Sequence, residues 1–529
     1  MKIFWSLMIA SIIMVSCNSE EEIPAPEYKN AFFEMPEDRY GGLYRELQLY
    51  DAVPQKDLAD AIPLRSPRDI YNDLRRAKND YDFEMEKFIR ANFKVPERTT
   101  SYRPDSNRSI EESIELLWGI WKKPADDSEW KEGSHIPLKH PYVTDHDIGN
   151  DVNYWNAYYT MLGLAHRNEI DLLENMVKNF ADLIETFGFI PYNNRTYNTS
   201  RSNYPVFVEM VELLAKNKGD EVWDIYLPYV EKEYNYWMIG ADDLSSEKEE
   251  EKHVVWYKSN ILNRYWDDNM TPRPEHYRSD DRDAGYIDWR PKWKTLREFR
   301  AVTESGWNFS SRFMNNGRWR GTTVATEILP VDLNCALYHY EEVLADKYAK
   351  MGNDQKSKLY ADKAAVRKKA ILTEFWRVEE GIFEDVKYVD STLMKRGAIA
   401  MMYPLYFKMV GKEKADSVAS YVENRLLKEG GVIHTEYDGR QRWDRQNGWA
   451  QMQYITVKGL RNYGYTELAD KITSRWIKTV ERVYTQLYRF NDYYNVEEIR
   501  ENFEDTSDTL NYTWTVAVYE ILKEEAEAK

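Results

Sequence analysis

The stretch LGLAHRNEIDLLENMVKNFADLIETF, residues 162–187, decides the fold class. Its apolar side chains Leu173, Met176, Val177, Phe180, Leu183, Ile184 and Phe187 recur three and four residues apart, which places them on one face of an amphipathic helix. Similar stripes occur at Phe207, Val211 and Leu214, over residues 393–407, and at Met452, Ile455 and Leu460. Between them lie loops rich in Asn, Arg, Trp and Gly, at residues 192–204, 264–283, 304–312 and 440–448. No run alternates as a strand does, so the sequence predicts an all-α protein. Helices in this number must stack in layers, and polar loops gathered at one end would form the site.

The chain has 529 residues, 43% hydrophobic and 31% charged, a balance that supports a folded core. With 90 acidic against 72 basic side chains the net charge is -18, which argues against a nucleic-acid backbone as partner and favours a neutral ligand. Forty Tyr and 18 Trp supply flat apolar faces with polar tips, which suit sugar rings and equally suit helical cores. The only cysteines, Cys17 and Cys335, are too few for a disulfide framework or a cysteine-based zinc site. The eight histidines form no HExxH, and the closest pair, His135 and His140, is not spaced to share a helix face, so no metal is expected.

Lys2 and the mostly apolar run of residues 3–15 read as an export signal, too short to serve as a membrane-spanning anchor. The sequence Met14-Val15-Ser16-Cys17 resembles a bacterial lipobox, in which the cysteine is lipidated and becomes the new N-terminus; the alternative is a plain secretory signal with an incidental cysteine. Asn18-Ser19-Glu20-Glu21-Glu22 is similar to the acidic tag of some surface-exposed lipoproteins, and Pro24, Pro26 and Pro36 follow without any sustained period. The expected organisation is a signal peptide at 1–17, a tether at 18–39 and one domain at 40–529, with residues 245–252 as an exposed charged loop. The expected location is the outer membrane, through Cys17, facing the periplasm or the cell surface.

The loops carry recognisable motifs. ESGWNFSSR at 304–312, RPEHYRSD at 273–280, NNRTYNTSRS at 193–202 and RWDRQNGWAQMQ at 442–453 resemble the α,α-trehalase family. The similarity runs in order through LYDAVPQKDLADAIP, IPLKHPYV at 136–143, LPVDLNCAL at 329–337 and WTVAVYEIL at 514–522. The resemblance implies an (α/α)6 barrel with the sugar site where loops meet at one end, hydrolysis of trehalose to two glucose molecules with inversion, and no cofactor. Inversion needs one carboxyl group to protonate the glycosidic oxygen and another to activate water, roughly 6.5–9.5 Å apart.

Matched to the family motifs, Asn194, Arg195 and Arg201 take the asparagine and arginine positions of NRxYYLxRS, and Arg273 and Glu275 keep the RPE motif. Trp443, Asp444, Gly448 and Trp449 match QWDxPxGWAP, with Arg442, Gln446 and Gln451 as departures. The resemblance therefore implies sugar contact for Trp155, Asn156, Asn194, Arg201, Arg273, Glu275, Trp307, Trp443 and Asp444. The alternative for each is a loop residue tied into a structural hydrogen-bond network.

The catalytic positions depart further. The family reads ESGWDFSSR, with its aspartate as general acid, and here that position is Asn308. An amide cannot lend the proton, a loss typically costing about 10²–10⁴-fold, although its NH₂ can still bond the glycosidic oxygen. The first signature, PGGRFxExYxWDxY, lies over residues 145–158, where Asp145-His146-Asp147-Ile148-Gly149 replaces Pro-Gly-Gly-Arg-Phe and Asn156 replaces the aspartate of the WD pair. Asp145, His146, Asp147 and Asp151 are then candidates for a relocated proton donor. Counting back from Trp514, the family base falls near Asp505, with Glu504 beside it, in a loop without glycine; the alternative is that both are simply exposed acidic residues. Two functions follow: a hydrolase acting on trehalose or a related small α-glucoside, or a glycan-binding protein on the same scaffold without catalysis.

Overall fold

The structure is a computed structural model that describes residues 35–127, 133–500 and 510–528. Cys17, Glu504 and Asp505 lie outside the described residues. Thirteen helices build the body around the site: α1 (Ile110–Trp121), α2 (Tyr154–His166), α3 (Ile170–Phe187), α4 (Phe207–Lys218), α5 (Val222–Trp237), α6 (Lys292–Glu304), α7 (Val331–Lys350), α8 (Asp354–Glu374), α9 (Tyr403–Tyr406), α10 (Lys412–Tyr421), α11 (Ala450–Asn462), α12 (Thr466–Leu487) and α13 (Thr513–Glu527).

Burial sorts them into two rings. Helix α2 is buried almost all round, from Tyr154 through Leu164, and can only sit in the centre. Helix α3 buries one stripe, Leu173, Met176, Val177, Phe180, Leu183 and Ile184, and turns its other face to water. The inner ring is α2, α4, α7, α9, α11 and α13, with α13 packed back against α2. The outer partners are α3, α5, α8, α10 and α12, and α1 completes them by packing on α13. The fold is the all-α, (α/α)6 type, and helix α6 is an additional element on its loop side.

Three expectations are corrected. Residues 162–187 form a helical hairpin, because Arg167–Glu169 turns the chain between α2 and α3. Residues 393–407 hold only the 3-10 turn Ile399–Met402 and the four-residue α9, since Lys395 and Gly397 adopt positive φ (54° and 56°) and Pro404 removes a helical N–H. The packed chain begins before Tyr40: Met35 and Pro36 are buried, and Glu37 accepts from Thr271 Oγ1 at 3.0 Å and Arg300 Nη2 at 3.3 Å. Strands are two to four residues long; the longest pair, Val254–Tyr257 with Asn260–Asn263, takes Glu250–Glu251 from the predicted charged loop as a third strand.

The inner helices run in one direction, so their first turns face one end of the barrel and their later turns the other. Connections at the first end carry the motifs. At the opposite end the helices leave a cavity of about 780 Å³ lined by Tyr158, Glu209, Glu212, His339, Tyr406 and Tyr454 among others.

Candidate active site

An aromatic column stands at the loop end. Trp307 stacks on Trp443 (5.4 Å, 22°), Trp443 on Trp449 (3.8 Å, 14°) and Trp449 on Tyr493 (5.0 Å, 15°), while Trp155 meets Trp443 at 5.7 Å. His434 abuts both Trp307 and Trp443 edge-on, and burial pushes its pKa down to about 3, so it stays neutral. The predicted tryptophans are thus brought together, but Trp155, Trp307 and Trp443 are buried and spend their faces largely on one another.

Asn308 follows directly from this column. It sits half-buried at φ 46°, a left-handed conformation that asparagine tolerates better than most residues, two positions after Gly306 at φ 76°. Gly306 has no alternative: a Cβ there would lie 2.4 Å from the Trp155 ring. The turn after Asn308 is clamped by Asp444, whose Oδ1 accepts from Ser310 Oγ at 2.9 Å, Ser311 N at 2.9 Å and Ser311 Oγ at 2.7 Å. Burial pushes the Asp444 carboxyl up to about 6 against these donors. Arg312 then locks the loop to the barrel through paired bonds to Asp332 (2.7 and 2.6 Å) and Asp385 (2.6 and 2.8 Å).

The predicted binding arginines are also paired. Arg201 donates to Asp267 at 3.1 Å, Asn198 at 2.5 Å and Glu275 at 3.4 Å, with its guanidinium over Tyr192. Burial would raise the Glu275 carboxyl, but Arg201 and neighbouring cations hold it below its ordinary value. Arg273 makes a two-pronged pair with Asp280, both bonds at 2.7 Å, and donates to Thr303 at 3.1 Å. Asn194 is occupied on the backbone, accepting from Val152 N and donating to the Asn150 carbonyl, each at 2.9 Å.

The altered first signature is integrated as well. Asp151 binds Arg195 at 2.6 Å and Lys56 at 3.1 Å; although burial alone would raise its carboxyl, these cations hold it well below the usual range. Asp147 accepts from Asn511 N at 2.8 Å. Asp145 differs, because its Oδ2 accepts the backbone N–H of Asn153 at 2.9 Å, and burial drives its carboxyl well above the usual range. Asn153 caps α2 and also accepts from Asn203 Nδ2 at 3.0 Å. Asn156 accepts from Gln451 Nε2 at 3.0 Å, so two positions expected from the sequence to be departures touch each other. Sequence reading missed this pair, and the only signal for it was that both positions depart. Among the described residues no cluster of three His, Cys, Asp or Glu is placed to hold a metal.

The trehalase family model matches residues 45–521. The chain belongs to the trehalase family. It is 35% identical over 495 residues to a periplasmic trehalase of Citrobacter koseri, covering 93% of this chain and 86% of that one. A periplasmic trehalase of Salmonella agona is 36% identical over 480 residues, 90% of this chain and 82% of that one. Among solved structures, neutral trehalase from Saccharomyces cerevisiae superposes with a TM-score of 0.60 at 20% identity, covering 80% of this chain and 81% of that one, which shows a shared fold. Arg201, Arg273 and Arg312 are bound into the loop end of this chain by arginine–carboxylate pairs, with the half-buried Asn308 beside them.

Proposed function

We propose that the protein is an exported, lipid-anchored trehalase-family glycosidase that recognises trehalose or a related small α-glucoside at the loop end and cleaves trehalose only slowly. The observation that carries this reading is the amide at position 308. The turn around it remains clamped by Asp444 and Arg312, so a ligand oxygen can meet the Asn308 NH₂ but receives no proton from it. At its limit the protein binds glycans without turnover. The names of the periplasmic relatives support export, and Cys17 supplies the anchor. Asp505, or Glu504 beside it, is the proposed base, and Trp155, Asn156, Arg201, Arg273, Glu275, Trp307, Trp443 and Asp444 form the shell of the sugar site.

A second reading, hydrolysis through a relocated acid, has one observation in its favour. Asp145 is a buried carboxyl whose pKa burial raises well above the usual range, and it is linked through Asn153 to the start of α2, where Trp155 and Asn156 lie. One experiment separates the two. Glucose release from trehalose is followed for the natural protein, Asn308→Asp and Asp145→Asn. The main reading expects Asn308→Asp to gain about 10²-fold or more, with Asp145→Asn no slower than the natural protein. Loss of activity in Asp145→Asn alone supports the relocated acid.

A further inference from the structure

Two tryptophans break the pattern of burial. Trp289 and Trp319 are the exposed tryptophans among the described residues, at 59% and 40%, and their rings meet edge to face at 5.2 Å and 67°. Tyr286, 71% exposed, stands three positions before Trp289. Exposed single apolar side chains are ordinary, but a contiguous aromatic patch on a held backbone usually marks a binding surface.

The backbone is held from several directions. Asn316 Oδ1 accepts from Arg318 N and Trp319 N, both at 2.9 Å, and from Thr322 Oγ1 at 2.8 Å. Arg290 donates to the carbonyls of Thr323 at 2.9 Å and Gly321 at 3.1 Å, tying the segment of Trp289 to that of Trp319. Gly321 lets the segments close, because a Cβ there would lie 2.8 Å from Ile287 and 3.0 Å from the Trp319 ring.

The patch continues into the site. Arg320, next to Trp319, lays its guanidinium over Phe309 at 3.7 Å, and Phe309 follows Asn308. Phe309 in turn packs edge-on against Phe299 of α6 at 5.3 Å, while Trp289 lies just before α6 begins. The aromatic pair is thus linked to the residue after Asn308 through Arg320 and to Phe299 through the start of α6. The three rings expose a few hundred Å² at most, given about 150–250 Å² for a whole aromatic side chain, well short of the roughly 800 Å² per partner of a stable protein complex. Flat indole faces beside Arg and Asn groups suit sugar rings with their hydroxyls instead.

We propose that Trp289 and Trp319 form an accessory glycan subsite, so that the ligand is an α-glucosyl oligosaccharide whose end enters the loop-end site while later sugar units stack on the exposed indole faces. This rests on the sugar-binding reading above and extends it from a disaccharide to a chain. The full-length protein is titrated with trehalose and with maltoheptaose, as the natural protein and as Trp289→Ala/Trp319→Ala; Trp289→Tyr/Trp319→Tyr serves as the conservative control. The expected result is maltoheptaose binding about tenfold tighter than trehalose, with that gain lost in the alanine variant, largely kept in the tyrosine variant, and trehalose affinity unchanged throughout. Trehalose binding with no gain for maltoheptaose, or a gain that survives the alanine variant, overturns the subsite and leaves the sugar-binding reading standing. Tryptophan-dependent maltoheptaose binding without trehalose binding supports the subsite and overturns recognition of the small sugar. Absence of binding by both sugars overturns both.

Discussion

The two ends of the barrel handle charge in opposite ways. At the loop end, arginines and carboxylates meet in short matched pairs: Arg273 with Asp280, Arg312 with Asp332 and Asp385, Arg201 with Asp267. Carboxylates such as Asp280 and Glu275 are held below their usual values, whereas Asp145, Asp444, Glu298 and Glu384, which accept from backbone N–H and hydroxyl groups, are pushed up by burial. The far cavity instead pairs a histidine with a carboxylate, His339 with Glu212. Glu209, bonded by Tyr406 at 2.8 Å, is pushed up to about 7 by burial. His339 is raised to about 9: burial opposes its charge, but Glu212 at 2.8 Å, with Glu209 nearby, outweighs it. Arginine–carboxylate pairs fix the geometry of the loop end, whereas in the far cavity Glu209 and His339 are both shifted upward.

The comparison breaks most easily at Arg312. Its replacement by alanine leaves Asp332 and Asp385 buried and unpaired, and is expected to cost about 3–5 kcal/mol in chemical denaturation. A cost below about 1 kcal/mol, the scale of an exposed pair, would show that paired charge does not hold the loop end.

The far end is sharpened by pH. Glu209 binds its proton more tightly folded than unfolded, so its contribution to stability falls as pH rises from about 4.5 to about 7. That change amounts to about 3 kcal/mol at most. His339 works in the next window: its stabilisation is full below about 6.5 and is lost as pH rises through about 9. Denaturation midpoints measured from pH 4.5 to 9 should therefore decline. Glu209→Gln should flatten the lower part, with Glu37 and Glu233, also raised to about 7, keeping their own shares. His339→Gln should flatten the upper part. Identical pH profiles for the natural protein and both variants would contradict this assignment.

The smallest effect concerns the contact between Asn156 and Gln451. A double-mutant cycle with Asn156→Ala and Gln451→Ala is expected to give a coupling of about 1 kcal/mol. A coupling indistinguishable from zero would mean that the two departures are independent.

Much of this was legible in the sequence, and the rest was hidden for identifiable reasons. Amphipathic outer helices such as α3 show their stripe because one face meets water, while α9, four residues long and headed by a 3-10 turn, has no period to detect. Asn308 draws the eye in the sequence because one letter departs from the motif it resembles, but its left-handed φ of 46° is seen only in the structure. The occupation of Asn194 by the Val152 and Asn150 backbone could not be read, since side-chain partners are set by tertiary packing. Asn156 and Gln451 lie 295 positions apart. Nor does any local pattern bring Trp289 against Trp319, which are buried or exposed only by the course of two loops.

The central claim is that the protein keeps the sugar-binding framework of its family without the proton donor at position 308. It is tested most directly by glucose release from trehalose, natural protein against Asn308→Asp under identical conditions. The account predicts a slow natural protein and a gain of about 10²-fold or more in the variant. A natural protein turning over at an ordinary enzymatic rate, about 10 per second, with that rate unchanged in both Asn308→Asp and Asn308→Ala, would contradict it.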